Sequence, residues 1–117
     1  MIHPKFVMTA AHCIKKTKPE KLGIFVGVVD RSKHEIRRVK RTNNHPKFGK
    51  CGKYGVTCYD FSVLELQKPV DIVSEGSLAR PICLPSKQDI AVAFESKVTT
   101  LTVSGWGRGN DLRQAFF

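Results

Sequence analysis

Long hydrophobic runs are missing from this sequence. The longest unbroken stretch, Ile24-Phe25-Val26-Gly27-Val28-Val29, falls far short of the roughly 18 to 20 residues that a membrane-spanning helix needs, so no helical span is expected. The amino terminus has one lysine and a short apolar piece, Phe6-Val7-Met8, but no hydrophobic core of an export signal, so none is expected within this chain. Acids are scarce as well. Ten Asp+Glu stand against twenty Lys+Arg for a net charge of +10, which predicts attraction to acidic substrates, polyanionic glycans or nucleic acid without choosing among them. Clustered cysteine pairs of the C-x2-C kind are lacking, and His45, Cys51 and Cys58 are spread too widely for the familiar tetrahedral spacings. No metal site is therefore expected. Sustained 3.6-residue periodicity is also lacking, which predicts little helix, and the absence of repeats, low-complexity tracts and Gly/Ser linkers argues for one architectural unit.

What remains is a chain of 117 residues, 41% hydrophobic and 26% charged, enough for one folded domain with a core. Apolar and β-branched residues gather in short runs at Phe6–Ala10, Gly23–Val29, Ile36–Val39, Phe61–Leu66 and Val98–Val103, each bounded by Gly, Pro, Asn, Asp or Lys. The pattern predicts an all-β fold. Phe61–Leu66 reads as a largely buried strand interrupted by Ser62 and Glu65, whereas Thr99, Leu101 and Val103 alternate with polar neighbours as in a strand with one wet face. Loops are expected at Ile14–Lys21, Asn43–Tyr59 and Ile72–Lys87, where lysine, glycine, proline and asparagine cluster.

Four cysteines, Cys13, Cys51, Cys58 and Cys83, suit an oxidising compartment if they pair. Cys51 and Cys58 lie close enough in the longest loop to staple it to itself, the alternative being two separate thiols. In Phe6-Val7-Met8-Thr9-Ala10-Ala11-His12-Cys13, a strand ends in small residues and sets a histidine beside a cysteine. Alone, His12 reads more readily as a structural residue than as a catalyst. Asp60 sits at the mouth of a strongly apolar strand, where a carboxylate needs a cation or N–H donor, or else caps the preceding turn.

Together these segments resemble a known family. Thr9-Ala10-Ala11-His12-Cys13, Asp60 opening Asp-Phe-Ser-Val-Leu-Glu-Leu, Arg80-Pro81-Ile82-Cys83-Leu84-Pro85 and Ser104-Gly105-Trp106-Gly107 each resemble a signature of the chymotrypsin/trypsin-like serine proteases, in the same order and with similar separations. The resemblance runs from Ile2 to about Gly107. It implies a trypsin-like pair of antiparallel β-barrels, of which residues 1–117 would supply most of the first and the opening strand of the second, an incomplete domain. His12 matches the family's general base and Asp60 the carboxylate that orients the imidazole and stabilises its charged form. In that chemistry a serine hydroxyl gives its proton to histidine as it attacks the scissile carbonyl, with no metal or organic cofactor.

The resemblance also marks what is not found. No serine has the Gly-Asp-Ser-Gly-Gly setting that in the family supplies the nucleophile and oxyanion hole, so these 117 residues alone are expected to be inactive. The Ile-Val-Gly-Gly-like activation segment, the Cys-Gly-Gly segment whose cysteine would pair with Cys13, and the specificity pocket are missing too. Cys83 resembles the cysteine that many members tether to a propeptide or light chain, so both Cys13 and Cys83 are expected to be unpaired here. Family likeness implies an extracellular protein acting on protein or peptide substrates.

One feature stands outside the resemblance. Arg31, Lys33, Arg37, Arg38, Lys40 and Arg41 face one acid, Glu35, and could form a strip that holds a polyanion. A solvated strand edge is the favoured alternative, and without interleaved aromatics no specific nucleic-acid recognition is expected. Two functions therefore stand side by side: a secreted serine endopeptidase represented by part of its domain, and an inactive protease-like binding module or truncated remnant that holds a polyanion through the basic strip.

Overall fold

A computed structural model describes residues 1–27, 36–74 and 78–95. The chain divides into two compact units, Met1–Cys83 and Leu84–Phe117. The first holds strands β1 (Phe6–Thr9), β2 (Gly23–Ile24), β3 (Arg37–Asn44), β4 (Gly49–Cys51), β5 (Val56–Cys58) and β6 (Ser62–Leu66), with the short helix α1 (Ala11–Ile14) and a 3-10 turn at Pro19–Lys21. Four strands form one antiparallel sheet in the order β1-β6-β3-β2, and β4 and β5 form a separate hairpin.

Strand β6 is central because both its neighbours need it. Val7 and Met8 of β1 pair with Leu64 and Val63, while Thr42 and Asn43 of β3 pair with the same two residues from the other side. Leu64 and Leu66 are therefore sealed, at 2% and 0% exposure, and with Val39, Ile14, Val70 and Ala79 they make the core. Ser62 and Glu65, the polar interruptions of the strand expected to be largely buried, are themselves buried in it.

Burying Glu65 would cost several kcal/mol if its charge were left without partners. A β-bulge between Val39 and Arg41 resolves this. It slips the register so that Val39 opposes Leu66 and Arg41 opposes Glu65, leaving Lys40 as the extra residue. Lys40 Nζ then lies 3.2 Å from Glu65 Oε1, Arg41 donates to Oε2 at 2.6 and 3.1 Å, and Lys5 of the segment before β1 approaches Oε1 at 3.5 Å. Hydrogen bonds from Arg41 and then Lys40 hold the Glu65 carboxyl down at about 2, against an ordinary 4.5. A depressed carboxyl stabilises the fold fully above its unfolded value and ceases to do so as pH falls through its folded value. The stability difference between the native chain and Glu65→Gln should thus be constant above pH 4.5 and shrink toward zero as pH falls to about 2, read from denaturant midpoints. A difference that does not change over that window would show that the charge is not what Glu65 contributes.

Several elements depart from the sequence reading. Of the strand expected over Gly23–Val29, Gly23–Ile24 is strand and residues 25–27 are not, while Val28 and Val29 lie outside the described residues; the one expected at Ile36–Val39 starts at Arg37 and runs on to Asn44, because β6 pairs with it from Val39 onward. The loop expected at Asn43–Tyr59 contains the β4–β5 hairpin. Helix α2 (Lys87–Glu95), in the second unit, was passed over by the absence of a long helical period. Its signal is local: Ser86 Oγ accepts from the Asp89 N–H at 3.1 Å and Asp89 Oδ2 accepts from the Ser86 N–H at 2.8 Å, a reciprocal capping box legible in Ser86-Lys87-Gln88-Asp89. The strand expected at Val98–Val103 and the Ser104–Gly107 segment lie outside the described residues.

Candidate functional site

Register decides what meets at the end of the sheet. Thr9, the last residue of β1, pairs with Ser62, the first of β6, so the chain leaves β1 where it enters β6. His12, three residues past Thr9, and Asp60, two before Ser62, therefore share that end although they are forty-eight positions apart.

The two residues touch at two points. Helix α1 has no side-chain cap of its own at Ala10, and the first N–H groups of a helix have no partner within it. Asp60 supplies one. Its Oδ1 accepts the His12 backbone N–H at 2.8 Å, while its Oδ2 lies 2.5 Å from His12 Nδ1. A carboxylate that holds both backbone and ring of one residue fixes the imidazole in place and makes Nδ1 the protonated nitrogen. The His12 side chain contributes most to drawing the Asp60 pKa below its ordinary value, followed by the His12 backbone N–H, so the carboxylate stays ionised at neutral pH. The Asp60 side chain is 27% exposed and that of His12 is 59% exposed, which leaves the ring open to an approaching group. The capping role considered for Asp60 is real, but the turn it caps is α1 rather than its own.

Asp60 is itself held from both sides. The Phe61 N–H donates to the Tyr59 carbonyl at 2.8 Å, a three-residue turn with Asp60 at its apex, and Tyr59 takes a left-handed φ of 53° to enter it. The His45 ring stacks on Tyr59 at 4.6 Å and tilts against Phe61 at 4.8 Å, bracketing Asp60 through its two neighbours. Sequence reasoning missed this clamp, whose only signal is an aromatic on each side of Asp60. The fully buried Ser62 Oγ has no hydrogen-bond partner among the described residues.

Cys13 lies on the other side of the ring, its Sγ 3.3 Å from His12 Nε2. Cys13 and Cys83 are exposed free thiols, and Cys51 and Cys58 form a disulfide across the β4–β5 hairpin. Of the basic strip, Lys40 and Arg41 are engaged with Glu65, Arg37 and Arg38 pair with β2, and Arg31 and Lys33 lie outside the described residues. The strip is thus not a free edge along its length, since β3 has β6 on one side and β2 at its start on the other. Among the described residues no group of three or more His, Cys, Asp or Glu is placed to hold a metal ion, and no helix is long and apolar enough to cross a membrane.

The sequence matches the trypsin family over residues 1–116. The chain belongs to the trypsin family. Among its relatives are a chymotrypsin of Phaedon cochleariae, 34% identical over 97% of this chain and 39% of that protein, and a trypsin of Aedes aegypti, 32% identical over 92% of this chain and 36% of that one. The atrial natriuretic peptide-converting enzyme of Rattus norvegicus is 31% identical over 96% of this chain, though only 10% of that protein is covered. The chain thus spans well under half the length of each relative. A crystal structure of a scabies mite inactivated protease paralogue superposes with a TM-score of 0.60 at 24% identity, covering 74% of this chain and 34% of that one, which establishes the incomplete trypsin-like barrel as the fold.

Proposed function

We propose that this chain carries the proton-handling half of a serine-type endopeptidase. Support comes from the Asp60 carboxylate, which lies 2.5 Å from His12 Nδ1 and also takes the His12 backbone N–H. With Nδ1 protonated and facing Asp60, Nε2 carries the lone pair, at the position where the Cys13 thiol now lies 3.3 Å away and which an attacking hydroxyl takes in its place. A serine hydroxyl brought there loses its proton to Nε2 as its oxygen bonds to a peptide carbonyl, and the same proton then passes to the leaving amine. Asp60 stays ionised throughout and stabilises the charged imidazole between the two transfers.

Among the described residues no serine hydroxyl is free to serve the pair. Ser62 is sealed in β6, and the hydroxyls of Ser74 and Ser86 are engaged with Asp71 and Asp89. Hydrolysis by the pair would require a serine and oxyanion hole of the Gly-Asp-Ser-Gly-Gly kind, and without them residues 1–117 would hydrolyse peptides negligibly. The Cys51–Cys58 disulfide agrees with an oxidising, extracellular setting. Peptides and proteins are the substrate class. The binding-module reading has less support, because two of the six strip cations are committed to Glu65.

A fluorophosphonate reagent, which labels an activated serine, tests the reading. It should leave the 117-residue chain unlabelled, label a form extended through a Gly-Asp-Ser-Gly-Gly segment, and lose that labelling on His12→Ala. Equal labelling with and without His12 would remove the proposed role.

A further inference from the structure

The β4–β5 hairpin leads directly into the site and has a chemistry of its own. Its turn is made by Gly52 and Gly55, both in the left-handed region with φ of 67° and 61°, and the Cys51–Cys58 disulfide ties its two strands together. From Thr42 to Tyr59 the sequence contains Lys47, Lys50 and Lys53 and no Asp or Glu. None of the three lysines meets a carboxylate: Lys50 Nζ reaches across to Thr57 Oγ1 at 3.1 Å, and Lys47 Nζ stands 5.9 Å from the centre of the Tyr59 ring, beside Asp60. Tyr54 is 88% exposed and Val56 61%, and a side chain built at Gly49, Gly52 or Gly55 would meet nothing within 4 Å. The hairpin's surroundings are open, and among the described strands β4 and β5 pair only with each other, so each keeps an open backbone edge.

We propose that this stapled hairpin docks an acidic, extended stretch of polypeptide beside the bond that the His12–Asp60 pair acts on, an inference that rests on the peptide-hydrolysing reading for its choice of polymer. Lysines without carboxylate partners select negative charge, and an open strand edge selects a partner with peptide N–H and C=O groups, which a sulfated glycan does not have. The disulfide holds the hairpin in its bound shape before the partner arrives, so little ordering cost falls on binding. The hairpin's neighbour Tyr59 directly precedes Asp60, so a segment held there lies close to the imidazole.

Binding to a fluorescently labelled decaglutamate peptide, followed by anisotropy, tests the docking without any turnover. The chain should bind decaglutamate and not decaglutamine, and binding should weaken as salt is raised. The triple variant Lys47→Glu, Lys50→Glu, Lys53→Glu should raise the dissociation constant by about tenfold or more, whereas the equal charge change Lys15→Glu, Lys16→Glu, Lys18→Glu should raise it by less than about threefold. Cys51→Ser with Cys58→Ser should also weaken binding, an effect that net charge alone would not produce. His12→Ala should bind like the native chain, so a failure of the proton-handling reading would leave this result standing. Equal losses in the two triple variants, comparable binding of decaglutamine, or a sulfated oligosaccharide that binds through these lysines where decaglutamate does not, would each overturn the proposal.

Discussion

In a serine-bearing form of this protein, Asp60→Asn should lower kcat for peptide hydrolysis by about 10^4-fold, the size established for serine-protease triads, with little change in stability or in KM. The reason lies in the two-point contact. An asparagine oxygen can still accept the His12 backbone N–H that Oδ1 accepts at 2.8 Å, so α1 stays capped. Its amide NH2 then faces Nδ1 in place of Oδ2, and as a donor it favours the tautomer with the lone pair on Nδ1 and the proton on Nε2. That ring cannot take a proton from a hydroxyl at Nε2. Because the loss is felt only once charge develops on the imidazole, it appears in kcat and kcat/KM alike. Steady-state kinetics at neutral pH measure it, and a loss of less than about tenfold would mean that Asp60 caps the helix and does little else.

The second large effect falls on the sheet that brings the pair together. Leu66→Ala should cost about 2–5 kcal/mol, because Leu66 is fully buried in β6 and the space it leaves cannot close without breaking the pairing with β3. Leu78→Ala, at a site 74% exposed, should stay within about 0.5 kcal/mol of the native chain. Urea midpoints give both values. If the two substitutions cost the same, the core is not where the burial pattern places it.

The parts of this architecture that were legible in the sequence are those that depend on short apolar runs. Phe6–Ala10 and Phe61–Leu66 read as strands from their short apolar runs, the second of them largely buried, and their adjacent ends carry His12 and Asp60, so the candidate pair was legible through its family resemblance. Strand β3 was underread. Arg37-Arg38-Val39-Lys40-Arg41 looks like a solvated edge, since nothing local announces that a buried glutamate on another strand will take Lys40 and Arg41. The bulge that lets both cations reach it is set by the pairing, not by either strand alone. The hairpin at Gly49–Cys58 was hidden by its brevity, because three residues per strand are too few to show alternation, and its disulfide was the better clue. The clamp of His45 on Tyr59 and Phe61 joins residues more than a dozen positions apart through a loop, where no periodicity exists to be read.

Nitrogen-15 NMR of the histidine rings in the 117-residue chain measures the state of this site without needing a nucleophile. The rings of His3 and His45 accept backbone N–H groups at Nδ1, from Lys5 at 3.1 Å and Lys47 at 3.2 Å, and so should hold their protons on Nε2 when neutral. His12, facing the Asp60 carboxylate, should show the opposite tautomer, with a hydrogen-bonded proton on Nδ1 that is lost in Asp60→Asn. Finding His12 with its proton on Nε2, or unchanged by that substitution, would contradict the central claim that this carboxylate readies the imidazole to receive a proton.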